Sequence, residues 1–340
     1  MGLHASRRGD RRAKEGEGVT NSTHKVEVVP VTLKPHPNAD KLAIVEVYGY
    51  TVCVKKEDWK DGMLGAYIPP DSIVDSTRAE FAWLAGHERI RVKRLRGIVS
   101  MGLLVPAPIG SEVGDDVAEA LGVTHYNHPE SVKTGGEAGP SPSGYAPCYD
   151  VESARRYAHL FVPGEPVWVT EKINGANGRW CCRDGQLYAG SRTEWKREAE
   201  SIVWWKVFKQ NPVLEALCRG DESVTVYGEV YGQVQDLKYG VESGVRFACF
   251  DILRGSVWMD PEEARDYTSG HVDGFPWVPL VACTEWDYEN VAALAEGPSL
   301  VVGANHVREG VVVKPVKERT HPEVGRVNLK IVGNGYLEKA

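Results

Sequence analysis

A lysine lies at the end of a predicted strand, in a stretch whose next residues favour a turn. The run VPGEPVWV (162–169) leads into TEKINGANGR (170–179), so the strand ends near Glu171 and Lys172, before Asn174 and Gly175. Asn and Gly are common turn residues, but a turn alone gives no reason for the lysine. A lysine amine can act as a covalent nucleophile when burial or a nearby cation keeps it partly neutral, and glycine lets a ligand approach the backbone. The stretch therefore predicts a nucleophile on a tight turn.

Five more short patterns follow in order between residues 187 and 330. They are LYAGSRTEW with Arg192, VTVYGEVYG with Glu229, RFACFDIL with Phe250, EGVVVKP with Glu309 and Lys314, and VNLK with Lys330. Together with the Lys172 stretch they resemble motifs I, Ia, III, IIIa, IV and V of the covalent nucleotidyltransferases, the superfamily of DNA ligases, RNA ligases and mRNA capping enzymes. This chain departs from the common pattern at Asn328, where a lysine is frequent, and at Asn174, where many relatives have aspartate.

The resemblance implies a role for each motif residue in the transfer of AMP from ATP. Lys172 would attack the α-phosphate, and Lys330 and Lys314 would stabilise the charge that develops there. Glu309 would hold a Mg²⁺ or Mn²⁺ ion, and Asn174 would help to hold its hydration shell. The nucleotide would be contacted by Glu229 at a ribose hydroxyl, Phe250 on the adenine ring, Arg192 at the ribose or a nucleic-acid phosphate, the backbone around Glu171 at the adenine edge, and Gly175 at close approach.

Three of these residues also have purely structural interpretations. Phe250 lies in FACFDIL, which is a good core strand, and Arg192 could be an ordinary surface arginine. Glu229 lies in an alternating strand and could face solvent. Glu309 is harder to explain in this way, because it is a carboxylate beside a glycine at the start of an apolar run.

The patterns outside the motifs predict an α+β protein of two domains. Five β-rich runs, KVEVVPVTL, LAIVEVYGYTVCV, GAYIPP, RIRVKRL and SMGLLVP, predict a small β-barrel of the OB-fold type over residues 24–128. The Pro-, Gly- and Ser-rich residues 129–147 predict a linker, and residues 1–23 a disordered tail. Residues 148–340 predict a domain of antiparallel sheets with flanking helices, including one helix in YDVESARRYAHLF and two in 198–219 separated by Pro212.

The N-terminal domain carries a basic run, ERIRVKRLRG, that is a candidate nucleic-acid contact. As a strand it would place Arg89, Arg91 and Lys93 on one face, with Arg94 and Arg96 following. A basic strand on an OB-fold suits a phosphate backbone. The alternative is a solvated edge strand that its charges protect from pairing with other chains.

Composition restricts the class of protein further. The 340 residues are 42% hydrophobic and 26% charged with a net charge of -7, which excludes a histone-like basic protein. No apolar run is long enough to span a membrane, and no apolar segment of a signal peptide opens the chain. Seven scattered cysteines without a CxxC pair predict free thiols, hence the cytoplasm or another reducing compartment inside the cell.

The domain order distinguishes between the nucleotidyltransferases. A β-rich module precedes the motifs, and this order resembles an RNA ligase family with an N-terminal OB module and a C-terminal adenylyltransferase domain. PGEPVWVTEKINGANGR, VYGQVQDLKYG, NLKIVGNGYL and RLRGIVSMGLLVP also look like that family. The resemblance implies an ATP-dependent RNA ligase that joins 3′-hydroxyl and 5′-phosphate ends through lysyl-AMP and an adenylated 5′ end, at nicks in duplexes with RNA on the 3′-hydroxyl side.

Two alternatives remain open at this point, a capping-type guanylyltransferase and a non-catalytic RNA-binding protein with a vestigial nucleotide pocket. For the ligase we expect a monomer and no membrane partner, with end-healing enzymes that prepare the RNA ends as candidate partners. We also expect the OB module to bind the nick rather than to take part in adenylation.

Overall fold

The computed structural model describes residues 24–126 and 137–338. The predicted tail (1–23) and the first part of the predicted linker (129–136) lie outside these ranges. No helix in the described ranges is long and apolar enough to cross a membrane.

The N-terminal part is built of short strands and a single turn of α-helix. It contains β1 (Glu27–Pro30), β2 (Lys34–Pro35), β3 (Leu42–Val47), β4 (Tyr50–Lys55), β5 (Leu64–Ile68), β6 (Ser72–Ile73), β7 (Lys93–Leu95), β8 (Ile98–Ser100), β9 (Leu103–Pro106), α1 (Ala118–Leu121) and β10 (Thr124–His125). Short 3-10 helices lie at Lys56–Asp58 and Ala82–Leu84. The strands pair as β1-β5-β9, β2-β3-β4, β7-β8 and β10-β6, so that among the described residues they form four small sheets and no closed barrel. The β-rich prediction is confirmed, whereas barrel closure is not observed.

The basic run does not form the one strand that its alternation predicts. The backbone of Ile90 pairs with Asp71 and Ser72, whereas Lys93–Leu95 pair with Ile98–Ser100 in a separate hairpin. The hairpin turn is Arg96-Gly97, and both residues have positive φ, as a two-residue type I′ turn requires. The chain therefore changes partners between residues 90 and 93, so Arg89, Arg91 and Lys93 do not lie on a single strand.

The C-terminal part contains two large sheets with helices packed against them. Its elements are β11 (Glu152–Ser153), α2 (Ala154–Tyr157), β12 (Pro166–Lys172), β13 (Ala176–Arg183), β14 (Gln186–Ser191), β15 (Trp195–Lys196), α3 (Val203–Gln210), α4 (Pro212–Gly220), β16 (Val224–Gly232), β17 (Val245–Arg254), β18 (Val257–Trp258), α5 (Pro261–His271), β19 (Leu280–Glu285), α6 (Tyr288–Ala293), β20 (Gly310–Pro315), β21 (Thr320–His321), β22 (Gly325–Arg326), β23 (Leu329–Val332) and α7 (Asn334–Leu337). A 3-10 turn follows α2 at Ala158–Leu160. The sheet orders are β11-β23-β20-β12-β19 and β15-β14-β13-β16-β17-β18.

The two helices predicted for residues 198–219 are confirmed, and the helix predicted in YDVESARRYAHLF is shorter than expected. Two helices separated at Pro212 are confirmed, with the proline at the first turn of α4, where its missing N–H costs nothing. In YDVESARRYAHLF the helix is reduced to α2 and the 3-10 turn, because Glu152 and Ser153 pair in parallel with Leu329 and Lys330.

Side chains alternate along the strands of the five-stranded sheet, so that one face is a buried apolar core and the other face carries Lys172. Val167 and Val169 of β12 and Val311 and Val313 of β20 are buried in one apolar cluster. Lys172 is the cross-strand partner of Gly310, and Lys330 that of Val312, two residues further along β20. Because cross-strand partners share a face and side chains alternate, Lys172 and Lys330 lie on the face opposite this core.

Candidate active site

The Lys172 amine is bound by the carboxylate that motif IV supplies. Nζ of Lys172 donates to Oε1 of Glu309 at 2.6 Å. The Lys172 side chain is 27% exposed and that of Glu309 only 11%, so this ion pair is largely shielded from water. The pairing of β12 with β20 produces the contact, because Lys172 ends one strand opposite Gly310, which begins the other. This strand pairing thus brings Lys172 and Glu309 into contact although they are 137 positions apart in the sequence.

Two carboxylates control the charge of this amine, and the amine in turn affects a second lysine. Burial works against the ammonium form, but the charges of Glu309 and then Glu229 raise the pKa of Lys172 above its ordinary value. Burial likewise raises the pKa of Glu229 to about 8, against the effect of the Lys172 charge. Burial and then the neighbouring Lys172 charge lower the pKa of Lys330. Lys172, Glu309, Glu229 and Lys330 therefore form one electrostatic cluster.

Both motif glycines lie where a larger residue would collide with a backbone carbonyl. A Cβ on Gly175 would lie 2.3 Å from the carbonyl oxygen of Val230 and 2.9 Å from Cγ of Glu229. A Cβ on Gly310 would lie 2.1 Å from the carbonyl oxygen of Ile331. Gly175 thus lets the turn after Lys172 pack against β16, where its N–H hydrogen-bonds the Glu229 carboxylate.

The chemistry of these donors fits a divalent cation that keeps most of its water. Oε2 of Glu309 is buried and has no hydrogen-bond partner, which leaves one carboxylate oxygen available. No group of three or more His, Cys, Asp or Glu side chains within 24–126 and 137–338 could enclose a metal ion. Mg²⁺ is commonly held by one or two carboxylates, water and substrate phosphates, and the free oxygen of Glu309 fits this mode of binding.

Asn174 is held by both ends of its amide. Oδ1 accepts from the backbone N–H of Leu237 at 3.3 Å, and Nδ2 donates to the hydroxyl of Tyr336 at 3.1 Å. The backbone N–H of Asn174 donates to the Tyr239 hydroxyl at 2.6 Å. These contacts fix the turn that follows Lys172. The two tyrosines were missed in the sequence, although their segments, VYGQVQDLKYG and NLKIVGNGYL, resemble the ligase family.

Lys314 lies on the same face of the sheet as Lys172 but is not adjacent to it. Its cross-strand partner is Trp168, four residues from Lys172 and so about 13 Å along the strand. Nζ of Lys314 donates to Oδ2 of Asp251 at 2.6 Å and to the carbonyl oxygen of Phe250 at 2.8 Å. The structure therefore places Lys314 in a buried ion cluster, separate from the Lys172 cluster.

The other predicted nucleotide contacts differ in their burial and in the partners that they bind. Phe250 is half-buried and packs against Tyr149, with ring centroids 4.6 Å apart. Arg192 is exposed and paired with Asp150 at 2.5 Å. The Glu171 side chain points to the other face, where it accepts from Oγ of Ser299 at 2.5 Å and from the N–H of Leu300 at 2.6 Å. The backbone N–H of Glu171 donates to the carbonyl oxygen of Pro279 at 2.9 Å. The contact of this backbone with an adenine edge stays a prediction.

The basic residues of the N-terminal part are distributed over two separate elements. Arg89 pairs with Asp71 at 2.6 Å and lies over the ring of Tyr126. Arg94 donates to the carbonyl oxygen of Gly97 at 2.6 Å and pairs with Glu338 in the C-terminal part. Arg91, Lys93 and Arg96 are exposed.

Two protein-family models match separate parts of this chain. A family model for RNA ligase matches residues 165–332, and a model for an OB-fold domain matches residues 24–107. A search of the curated proteins found no match.

Solved structures of the Naegleria gruberi RNA ligase are similar over most of the chain. An alanine mutant with ATP and Mn is 26% identical, covering 93% of this chain and 98% of that one with a TM-score of 0.79. Another alanine mutant, with AMP and Mn, is 25% identical over 93% of this chain and 99% of that one, also with a TM-score of 0.79. Together with the two family models, which match residues 165–332 and 24–107, they confirm the predicted resemblance: the chain belongs to the RNA ligase family and carries an N-terminal OB-fold domain.

Proposed function

We propose that this chain is an ATP-dependent RNA ligase that seals nicks, with Lys172 as the nucleophile and RNA on the 3′-hydroxyl side. The observation that carries the proposal is the Lys172 amine held 2.6 Å from Glu309 beside Glu229 and Lys330, in a member of the RNA ligase family. ATP and Mn²⁺ or Mg²⁺ are inferred from similar ligases solved with ATP or AMP and Mn.

The reaction begins at the Lys172 amine. In its neutral form the amine attacks the α-phosphorus of ATP, so that an N–P bond forms, the bond to pyrophosphate breaks and a proton leaves the nitrogen. Glu309 keeps the resting amine charged, so this pair must weaken before attack can occur. Lys330, whose pKa is lowered by burial and then by the Lys172 charge, would bind the α-phosphate as negative charge develops there.

The free Oε2 of Glu309 would hold the divalent ion, with Asn174 beside it through water, and Glu229 would contact a ribose hydroxyl. Such an ion supplies positive charge that favours the neutral amine and neutralises the leaving pyrophosphate. Phe250 and Arg192 would contact the adenine and the ribose. Lys314 would support this site from the Asp251 cluster.

The remaining two steps use the lysyl-AMP. The 5′-phosphate at the nick attacks the AMP phosphorus and frees Lys172, and the 3′-hydroxyl then attacks the activated 5′-phosphorus and releases AMP. These steps need a 3′-hydroxyl and a 5′-phosphate, so enzymes that heal ends of other chemistry would act before this one. One active site per nick makes a monomer sufficient.

We further propose a domain division of 24–128, a linker at 129–147, and 148–340. In the described part of that linker, the N–H of Gly139 donates to the carbonyl oxygen of Trp195, and Ala146 accepts from Arg179. All seven cysteines are free thiols, which supports a reducing compartment such as the cytoplasm.

Sealing of four nicked duplexes tests the substrate proposal. The duplexes are identical except that the strand ending in the 3′-hydroxyl and the strand carrying the 5′-phosphate are each RNA or DNA. We expect rapid sealing of both duplexes with RNA at the 3′-hydroxyl side and slow sealing of the other two. Equal rates on all four would contradict the strand preference, and labelling with GTP in place of ATP would favour the capping-type alternative.

A further inference from the structure

The loop that leads into β20 closes on itself and ends next to Glu309. We refer to residues 297–308 as the 297–308 loop. The backbone N–H of Arg308 donates to the carbonyl oxygen of Gly297 at 3.0 Å, so that the two ends of the loop are joined. Arg308 is buried, and its guanidinium donates to the carbonyl oxygen of Pro298 at 2.9 Å. Because Glu309 follows directly, the position of this loop determines the position of the Glu309 backbone.

The beginning of the loop is bound by the residue before Lys172. The Glu171 carboxylate accepts from Oγ of Ser299 and from the backbone N–H of Leu300. Glu171 is buried, so water competes little for these hydrogen bonds. The 297–308 loop is therefore tied to β12 directly beside the candidate nucleophile.

The tip of the loop lies against a strained stretch of backbone at Tyr239 and Gly240. Tyr239 is buried and has a φ of +53°, a conformation that costs free energy in a residue other than glycine. Gly240 has a φ of +70°, and a Cβ there would lie 2.3 Å from the carbonyl oxygen of Gly303. Strain of this kind persists only where surrounding contacts hold it, and it is concentrated at functional sites.

His306 of the same loop supplies a contact that holds Tyr239. The backbone N–H of Tyr239 donates to Nε2 of His306 at 3.3 Å, and the two rings meet edge to face with centroids 4.6 Å apart. Because a backbone N–H can only donate, Nε2 is the acceptor and the ring proton lies on Nδ1, which donates to the carbonyl oxygen of Val307 at 2.9 Å. The imidazole is thereby fixed in one tautomer.

This arrangement places a hydroxyl at the turn that follows the nucleophile. The Tyr239 hydroxyl accepts from the backbone N–H of Asn174 at 2.6 Å, and Asn174 is two residues after Lys172. From these contacts we propose that the 297–308 loop positions the Lys172 amine for adenylation by acting through Tyr239. Tyr239 and His306 are its positioning residues. The inference rests on the proposed function, since it names the contacts that hold the nucleophile of that reaction.

Tyr239→Phe keeps the ring and removes the acceptor of the Asn174 N–H. We expect the rate of lysine adenylation at saturating ATP and Mn²⁺ to fall about tenfold, the scale of one buried hydrogen bond. The KM for ATP should not change, because the predicted adenine and ribose contacts at Phe250 and Glu229 lie on β17 and β16 rather than on this turn.

The matched control is Tyr231→Phe. It makes the same change in the ring that packs on Tyr239, with centroids 5.3 Å apart. Within the residues that the structure describes, no hydrogen bond joins the Tyr231 hydroxyl to the Asn174 turn, so this variant should adenylate like the wild type.

Substitutions at His306 test whether the loop acts through this tyrosine. His306→Leu removes the acceptor of the Tyr239 N–H and should slow adenylation about as much as Tyr239→Phe. His306→Gln supplies a carbonyl oxygen in place of Nε2 and should keep the wild-type rate. The double variant Tyr239→Phe, His306→Leu should be slowed about tenfold rather than about a hundredfold, because both changes act on the same contact.

A pair of glycine variants separates the loop contact from the cost of the backbone conformation. Gly240 and Gly244 both have positive φ, but an added Cβ meets the Gly303 carbonyl oxygen at Gly240 and open space at Gly244. Folded Gly240→Ala should therefore adenylate more slowly than the wild type, and folded Gly244→Ala at the wild-type rate.

Amide hydrogen exchange measured without ATP gives a readout that does not depend on activity. The peptide that contains Asn174 should exchange faster in Tyr239→Phe and His306→Leu, because its N–H loses a fixed acceptor. It should exchange at the wild-type rate in Tyr231→Phe and His306→Gln.

Three results would overturn the inference. If Tyr239→Phe melts at a lower temperature but its folded molecules adenylate at the wild-type rate, Tyr239 has only a structural role. If Tyr231→Phe is slowed as much as Tyr239→Phe, the hydroxyl on the Asn174 N–H is not the cause. In both cases the wild type forms the adduct, so the proposed function stands while this inference is wrong. If the folded wild type forms no adduct, the proposed function is wrong and the inference falls with it.

Discussion

The buried anion Asp251 offers a quantitative test of how the two large sheets are joined. Its carboxylate accepts from Lys314 at 2.6 Å and from Tyr149 at 2.7 Å, and it lies 2.9 Å from the guanidinium of Arg326. The Asp251 and Lys314 side chains are 3% and 5% exposed. Because Asp251 lies in β17 and Lys314 in β20, the cluster connects the six-stranded sheet to the five-stranded sheet.

Asp251→Asn keeps the shape of the side chain but leaves two buried cations with one fewer counter-charge. Arg326 still has Glu318 at 2.6 Å, so the uncompensated group is Lys314. Removing one partner of a buried pair costs about 3–5 kcal/mol. At about 2–4 °C per kcal/mol for a domain of this size, the melting temperature should fall by roughly 6–20 °C.

The assay is thermal unfolding followed by circular dichroism. In the double variant Asp251→Asn, Lys314→Met, both charges are absent and most of the loss should be recovered. Lys317→Met is the control, because Lys317 is 86% exposed in its pair with Asp260 and should change the melting temperature little. A melting temperature of Asp251→Asn within a degree or two of the wild type would refute the reasoning, as would a double variant no more stable than the single one.

The same cluster predicts the direction of a pH effect. Burial works against the Asp251 carboxylate, but Arg326 and Lys314 lower the pKa of this group below its ordinary value of 3.8. A folded-state pKa below the unfolded one gives stability that is present above the unfolded pKa and is lost as the pH falls through the folded one. The difference in melting temperature between wild type and Asp251→Asn should therefore be constant near neutral pH and become smaller below pH 3.8.

Two further predictions concern the site itself. Gly310→Ala should lower the rate of adenylation by at least about a hundredfold, because the added Cβ would push β20 away from β23 and so displace Glu309 from Lys172. Gly220→Ala is the control and should leave the rate unchanged, because Gly220 has open space around it. Phe250→Leu should raise the KM for ATP by up to about tenfold if the ring stacks on adenine, since such stacking contributes about 0.5–1.5 kcal/mol. A lower melting temperature with an unchanged KM would instead show that Phe250 only packs against Tyr149.

The residues that could be predicted from the sequence lie in short motifs with a recognisable local pattern. Lys172, Gly175, Glu309 and Gly310 each lie at a strand end or turn that a short motif defines. The pairing of β12 with β20 brings Lys172 to Gly310 and hence to Glu309. The partner of Lys314 could not be predicted in this way, because alternation gives the face of a strand but not the side chain that approaches from another sheet.

Contacts between the two domains were even less predictable from the sequence. Arg94 and Glu338 are 244 positions apart, and neither lies in a pattern that points to the other. The basic run around Arg94 alternates like a strand, yet its backbone changes partners between Ile90 and Lys93. Alternation of polar and apolar residues indicates that a segment favours a strand, whereas tertiary contacts determine which strand it pairs with.

The central claim is that Lys172 takes AMP from ATP. The most direct measurement is incubation with α-labelled ATP and Mn²⁺, separation under denaturing conditions, and mass spectrometry of the labelled peptide, with Lys172→Ala and the exposed Lys317→Ala run in parallel and labelled GTP in a separate lane. The account predicts a label with ATP alone, located on Lys172, absent in Lys172→Ala and retained in Lys317→Ala. No label in folded wild-type protein, or a label that persists in Lys172→Ala, would contradict it.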